Sequence, residues 1–398
     1  MIKISKRLQA IKPSATLAMN AKAREMRAQG VDVISFAAGE PDFDTPANIR
    51  EAGKRAIDEG LTRYTPSSGM PELKEAIAAK LERDNRLEYS ADEITVSCGA
   101  KHAIYNALQA AIDPGDEVIV PAPYWVSYPD QVALAGGTTV TLPTYATTGF
   151  RITPEQLDKA IGGKTRAIIL NYPSNPTGST YSAEELKALG ELLAEKGILI
   201  ISDEIYEKLL FNGGTHVSIA AAHPPCRENT VVVGGVSKSY AMTGWRMGFA
   251  AGPAEIISRM SMLAGQQISG IPGFVQKACL EALGGPQEEV ARMRDEFKRR
   301  RDLMIERLAT IEGVRCHVPD GTFYLFPHVD EHLGKSSGGR QIETSLDLAD
   351  YLLEVAHIAT VAGEPFGAPG HLRLSFATST ENIEEGTARL AEALGGLA

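Results

Sequence analysis

What this chain has little of narrows its class first. Four cysteines, Cys98, Cys226, Cys279 and Cys316, are scattered over 398 residues without a CxxC pair. Neither a zinc centre nor a disulfide framework is indicated, and a reducing, cytoplasmic setting fits best. No apolar run approaches the ~20 residues that a spanning helix needs. Positive charge is in deficit, with a formal net charge of −10. That argues against nucleic-acid and anionic-membrane partners, both of which require a basic footprint. Small anions remain possible ligands, because local groups decide their binding. No acidic residue precedes Glu25, yet this basic start lacks the continuous apolar core of a secretory signal and reads as mature sequence. No strand-like run leads into GxGxxG, so the nicotinamide fingerprint is missing. No repeat of 20 to 50 residues or low-complexity segment is visible either.

What is present is an ordinary globular composition, 43% hydrophobic and 23% charged, with length enough for two lobes. Seven short β-like runs are expected at 94–97, 117–120, 138–142, 165–170, 198–201, 230–233 and 247–251. Several are separated by helix-period stretches, the pattern of an α/β fold with a mostly parallel sheet. Helices are expected over 47–59 and 71–82, and Ser182 with Glu185 forms a capping box before another. Near Gly284 the alternation stops, and residues 286–310 read as one long charged helix. The expected division is a large α/β domain over 46–285 and a smaller, discontinuous α+β domain made of 1–45 and 286–398.

The chemistry centres on VVVGGVSKSYAMTGWRMGFAA, Val231 to Ala251. An apolar run ends in two glycines, Lys238 follows, Arg246 comes eight residues later, and a second apolar run begins. Lys238 therefore sits on a loop between two buried strands. An isolated lysine there is ordinarily a solvated charge. A buried ammonium beside another cation instead loses its proton readily and can condense with an aldehyde. Arg246 supplies that cation, and with Ser237 it could grip a phosphate. Lysine, hydroxyl and arginine together point to pyridoxal phosphate.

The segment SKSYAMTGWRMG resembles the cofactor-lysine segment of fold-type I, class I pyridoxal-phosphate aminotransferases. The resemblance extends through KPSATLAMNAKA near the start, PYWVSYPD in the middle and LSFATS near the end, and these are closest to the bacterial aspartate branch. It implies a seven-stranded sheet, a homodimer, and substrates that are amino acids and 2-oxo acids.

Residue by residue, the implied roles stand beside plainer ones. Gly99 joins a strand to a helix in TVSCGAKHAIYNALQAA, and the free amides of that helix start, at Ala100 and Lys101, suit a phosphate. Such joints are often plain turns. The family commonly has small hydroxyl residues at positions 99 and 101, so the phosphate cup here falls to the amides, Ser237, Arg246 and Tyr64. Tyr64, on the loop RYTPSSGM, is implied to reach the cofactor of the neighbouring subunit. Trp125 lies on a proline-rich loop after a strand and would stack on the pyridine ring, although core packing explains it equally well.

Asn175, in NYPSNPTG, would bond the cofactor's phenolic oxygen, and turn chemistry also accounts for it. Asp203 ends the run ILIIS, where a carboxylate is costly unless paired; it would keep the pyridine nitrogen protonated. A helix N-cap is its plainer use. Tyr206 would contact the phenolic oxygen. Gly39, in VISFAAGEPDFDTP, would lie near the substrate carboxylate. Arg373 sits between Leu372 and Leu374 on an alternating strand; a surface charge by pattern, it is implied to clamp the α-carboxylate, with a fork Lys could not offer.

The expected activity is aspartate aminotransferase, exchanging amino groups between L-aspartate and 2-oxoglutarate. Prephenate, aromatic or alanine aminotransferases and a carbon-sulfur lyase would keep nearly all these residues, and a cofactor-sensing regulator would need a preceding DNA-binding domain. Animal-type relatives bind the distal carboxylate through a partner arginine from a segment matching Leu263 to Gln276, which here holds no arginine or lysine. Lys101 is the expected substitute, since a cation in a helix's first turn opposes the dipole and the helix itself has no need of one.

Overall fold

The computed structural model describes residues 2–9, 11 and 13–398. Lys12 of the KPSATLAMNAKA motif thus lies outside the described residues. The seven expected runs form one sheet: β1 (Ile94–Ser97), β2 (Glu117–Ala122), β3 (Thr138–Pro143), β4 (Thr165–Asn171), β5 (Leu199–Asp203), β6 (Thr230–Gly235) and β7 (Gly248–Ala251). Their order across the sheet is β1-β7-β6-β5-β4-β2-β3, with β7 antiparallel to both neighbours and the other pairings parallel.

Both faces are covered, as a largely parallel sheet requires. Val118, Val120, Ile169, Ile201 and Val231 pack with Ile104 and Leu108 of helix Ala100–Ala111 on one face. Ile119, Ile168, Leu170 and Ile200 pack with Leu186 and Leu189 of helix Ala183–Glu195 on the other. That helix opens with the expected capping box: Ser182 Oγ accepts from the Glu185 amide at 3.2 Å, and Glu185 returns a bond to the Ser182 amide at 2.7 Å.

Several elements run longer than their apolar pattern. Strand β4 continues to Asn171, β5 to Asp203 and β6 to Gly235, because ladder hydrogen bonds join backbones whatever the side chain. Helix Pro71–Asn85 passes Glu82 by three residues. Its polar last turn is anchored by buried Lys80, which donates to Asn85 Oδ1 at 2.6 Å and pairs with Glu207.

Beyond the sheet, helix Glu288–Leu308 is one continuous piece. It leads to β8 (Tyr324–Leu325), β9 (Val361–Ala362) and β10 (Leu372–Ser375), an antiparallel sheet in the order β9-β10-β8. The arm joins this part of the chain. Ile34–Ser35 pairs parallel with Ile358–Ala359, and Val33, Ile34 and Phe36 share a core with Phe297, Leu348 and Leu374. Arg300 on the long helix donates to both Asp42 carboxylate oxygens, at 2.8 and 2.9 Å, and so ties down the arm just past Gly39.

The plainer alternative for Arg373, a surface charge on an alternating strand, does not hold: all four residues of β10 are buried and Arg373 is 1% exposed. The sheet neighbours of β10 pair only its edges; the side chain of Arg373 is covered by Ala37 of the arm and by the Tyr324 and Phe366 rings.

Candidate active site

The register of the large sheet assembles the site. Asn171 lies opposite Asp203, and Asp203 opposite Val233. The carboxyl ends of β4, β5 and β6 therefore align, and the chain leaving them carries Asn175, Tyr206 and Lys238 to one crevice, where α/β proteins hold ligands. A cavity of about 530 Å³ opens there. It is lined by Gly99, Ala100, Lys101, Trp125, Asn175 and Asp203, by Tyr206, Ser237, Lys238, Arg246 and Arg373, and by Gly39 from the arm. Tyr64 is the sequence-derived candidate that does not join them. It is 94% exposed and borders a separate hollow beside Ser269 and Ile271.

Lys238 Nζ donates to the Gly39 carbonyl at 2.6 Å. Burial lowers its pKa to about 8, helped by Arg373 and Arg246 and opposed by Glu40 and Asp203. A lysine held this way is partly neutral near physiological pH, as a nucleophile or proton carrier must be.

Asp203 is shifted the other way. Burial raises it to about 6, against a hydrogen bond from Tyr128 Oη to Oδ2 at 2.7 Å and one from the Ile205 amide to Oδ1 at 3.2 Å. Paying to bury an acid next to a cavity makes sense if a cation comes to meet it.

The helix start at Gly99 is shaped by close approach. Gly99 has φ +81°, and a Cβ there would fall 2.7 Å from Arg246 Nη2. A Cβ on Gly248, where β7 begins, would fall 2.4 Å from the Ala100 amide nitrogen. Two glycines thus let Arg246 and the helix start converge. Arg246 is held by the carbonyls of Thr243, at 2.9 Å, and Cys98, at 3.3 Å. The Ala100 and Lys101 amides have no intrahelical acceptor at their positions. Cation, hydroxyl of Ser237 and helix amides form an anion cradle, which fits a phosphate ester.

At the other end, Arg373 Nη1 donates to Asn175 Oδ1 at 3.2 Å and Nη2 to the Ala37 carbonyl at 2.9 Å. Its buried Nε has no partner among the described residues. That leaves a donor for a carboxylate. The Trp125 ring packs edge-on to Tyr128, with centroids 5.4 Å apart, and carries Lys101 Nζ 4.6 Å above its face. Burial, with a smaller contribution from Arg246, lowers the Lys101 pKa.

Among the lining residues that the sequence reading did not single out, Tyr128, Asn171 and Tyr324 contact groups already named. Tyr128 stands in the quoted PYWVSYPD, three residues past Trp125, and its helical spacing from Trp125 was an available signal. Asn171 opens the quoted NYPSNPTG; its Oδ1 accepts from the Asn175 amide at 2.8 Å. Tyr324 is on a two-residue strand, too short to show any pattern.

A buried lysine of lowered pKa, a buried acid, an anion cradle and a buried arginine surround one cavity, and these residues fit pyridoxal phosphate. The chain belongs to the family "Aminotransferase class I and II", whose model matches residues 31–390; enzymes of this family use pyridoxal 5'-phosphate. It is 49% identical over 389 residues to an aspartate aminotransferase of Geobacillus stearothermophilus, covering 98% of each chain. It is 48% identical over 396 residues to an aspartate/prephenate aminotransferase of Cereibacter sphaeroides, covering 99% of each. Among solved structures, the aspartate aminotransferase of Rhizobium meliloti superposes with a TM-score of 0.96 at 42% identity over 100% of both chains. The Thermus thermophilus enzyme with maleate superposes with a TM-score of 0.93 at 43% identity, over 99% of this chain and 100% of that one.

Proposed function

We propose that this chain is an aspartate aminotransferase that moves the amino group of L-aspartate to 2-oxoglutarate, giving oxaloacetate and L-glutamate. The observation that carries the reading is the meeting of Lys238, Asp203 and Arg373 around one cavity that also holds Lys101. When bound, pyridoxal phosphate supplies an electron sink for the negative charge left at the substrate α-carbon. Lys238 would hold the cofactor and, once free, would take the α-proton on Nζ and deliver it to the carbon that was the cofactor's aldehyde. Asp203, braced by Tyr128, keeps a proton on the ring nitrogen.

The Ala100 and Lys101 amides beside Gly99, with Ser237 and Arg246, would hold the phosphate, and Trp125 would cover one ring face. Asn175 and Tyr206 hold the phenolic oxygen. Arg373 and the Gly39 backbone take the α-carboxylate, with Asn175 fixing the arginine. The proposal includes the two-lobe division at 46–285 and its remainder, and a cytoplasmic location. Among the described residues no helix is long and apolar enough to cross a membrane, and all four cysteines are free.

Lys101 takes the distal carboxylate in this reading. Truncating a charge-assisted contact costs ~1.5–3 kcal/mol, or roughly 10- to 150-fold in kcat/KM. Lys101→Ser should lose that much with aspartate and glutamate and little with alanine, measured on a panel of amino donors against 2-oxoglutarate. Equal losses for alanine and aspartate would assign Lys101 to the cofactor or the fold instead. Aromatic donors or prephenate outpacing aspartate on the same panel would replace the substrate assignment.

Tyr64 belongs to the homodimer in this proposal. Its full exposure suits a side chain that completes the partner's phosphate cup. Mixing inactive Tyr64→Ala and Lys238→Ala subunits should then restore one intact site per hybrid dimer and return part of the activity. No recovery after verified subunit exchange would remove Tyr64 from the shared site.

A further inference from the structure

Tyr324 has no role in the scheme above, yet it touches both of its ends. It is fully buried on β8, beside β10, which carries Arg373. The face of its ring lies 4.3 Å from the Arg373 guanidinium carbon, and Phe366 lies 5.3 Å from the same carbon. Its hydroxyl is 3.2 Å from that of Tyr206. It also borders the arm, since a Cβ on Gly39 would come 3.5 Å from the Tyr324 hydroxyl. One rigid side chain therefore contacts the carboxylate fork, the residue assigned to the phenolic oxygen, and the arm.

We propose that Tyr324 is a positioning residue that sets two groups at once, its ring bracing the Arg373 guanidinium and its hydroxyl aiming that of Tyr206. Arg373 is short of hydrogen-bonded constraints, having one contact on each terminal nitrogen and none on Nε among the described residues. The desolvated aromatic face, 4.3 Å from the guanidinium carbon, supplies a further restraint. For Tyr206 the logic is hydrogen-bond direction. Burial pushes both phenols up, so both hydroxyls keep their protons. Two neutral hydroxyls in contact share one bond, in which one donates and the other accepts. When Tyr206 donates to the cofactor's phenolic oxygen, Tyr324 can turn and donate to Tyr206, strengthening it as a donor. The charged groups facing this pair are Arg373, Asp203, Lys238 and Glu40.

The inference rests on the assignment of Arg373 and Tyr206 made above, and two variants separate its halves. Tyr324→Phe keeps the ring and removes the hydroxyl. It should leave KM for aspartate within about twofold and lower kcat by roughly 3- to 10-fold. It should also raise the pH midpoint of the bound cofactor's visible absorption by about half a unit, because a weaker donor at the phenolic oxygen no longer offsets protonation nearby. Tyr324→Leu should show both changes and add a roughly tenfold rise in KM as the brace is lost.

An unchanged kcat and midpoint in Tyr324→Phe overturn the hydroxyl role, and equal KM values in the two variants overturn the brace. Arg373→Lys serves as the reference. If it leaves KM unchanged, the carboxylate assignment itself falls. If it raises KM while Tyr324→Leu does not, only the brace is lost.

Discussion

Lys238→Ala is expected to lose about 10⁴-fold or more in kcat, since it removes both the amine that holds the cofactor and the base that moves the α-proton. The same variant should abolish borohydride trapping of pyridoxal phosphate at this site. Mapping the reduced peptide is the measurement, and finding the label on another lysine would sink the central assignment. The pKa of about 8 adds a second readout. Only the neutral amine attacks an aldehyde, so cofactor uptake by the cofactor-free protein should speed up as pH rises and level off above about 8. A solvated lysine would keep gaining rate toward its ordinary value near ~10.4. The shift comes mainly from burial at the floor of the cavity, with Arg373 and Arg246 adding to it. That is why a lysine beside a glycine carbonyl can serve at neutral pH.

Asp203→Asn is expected to separate catalysis from stability. Removing the carboxylate that pairs with the ring nitrogen should cost about 10²- to 10³-fold in kcat, the usual loss when one preorganised electrostatic partner is removed. In the cofactor-free protein the same change should stabilise. Asp203 has its pKa raised from 3.8 to about 6 by burial. A raised acid means that the folded state holds the proton more tightly than the unfolded state. The group's contribution to stability therefore falls as pH rises from about 4 to about 6 and stays low above that. Two pKa units correspond to a penalty on the order of 3 kcal/mol at neutral pH.

The neutral amide introduced by Asp203→Asn carries no such penalty, and it can still exchange hydrogen bonds with Tyr128 and the Ile205 amide. Denaturant unfolding of the cofactor-free proteins at about pH 7.5 should rank Asp203→Asn above the parent, with the gap closing by about pH 4. A variant less stable than the parent at the higher pH would show that the buried carboxylate is already compensated by the protein alone. Cofactor binding should reverse the order, because the ring cation pairs with the Asp203 carboxylate and gains no counter-charge from the variant's amide.

The amino-acid sequence by itself determined the seven strands of the large sheet and the residues bound to its carboxyl edge. Buried parallel strands are near-continuous β-branched runs, and VVV, AIIL and LII are legible without a structure. Lys238, Asp203 and Asn175 follow such runs closely, so their place at the edge needs only the α/β rule and not a contact. Strand ends were less legible, since Asn171 and Asp203 join the ladder through backbone groups that hydrophobic pattern does not report.

What only the tertiary structure decided lies in contacts between distant segments. Tyr128 meets Asp203 across 75 residues, Lys238 meets the Gly39 carbonyl across 199, and Arg373 meets Ala37 across 336. Each partner looks ordinary in its own segment, a helix tyrosine, a turn glycine and a strand arginine. Arg373 in particular followed a surface pattern, because alternation along one strand says nothing about a second layer closing over its other face. The packing of the arm against β10 supplied that layer. The two perturbed pKa values, one down to about 8 and one up to about 6, are products of burial first, with neighbouring groups adding to it or opposing it. Burial is a property of the assembled chain, and it acts on whichever groups the fold encloses.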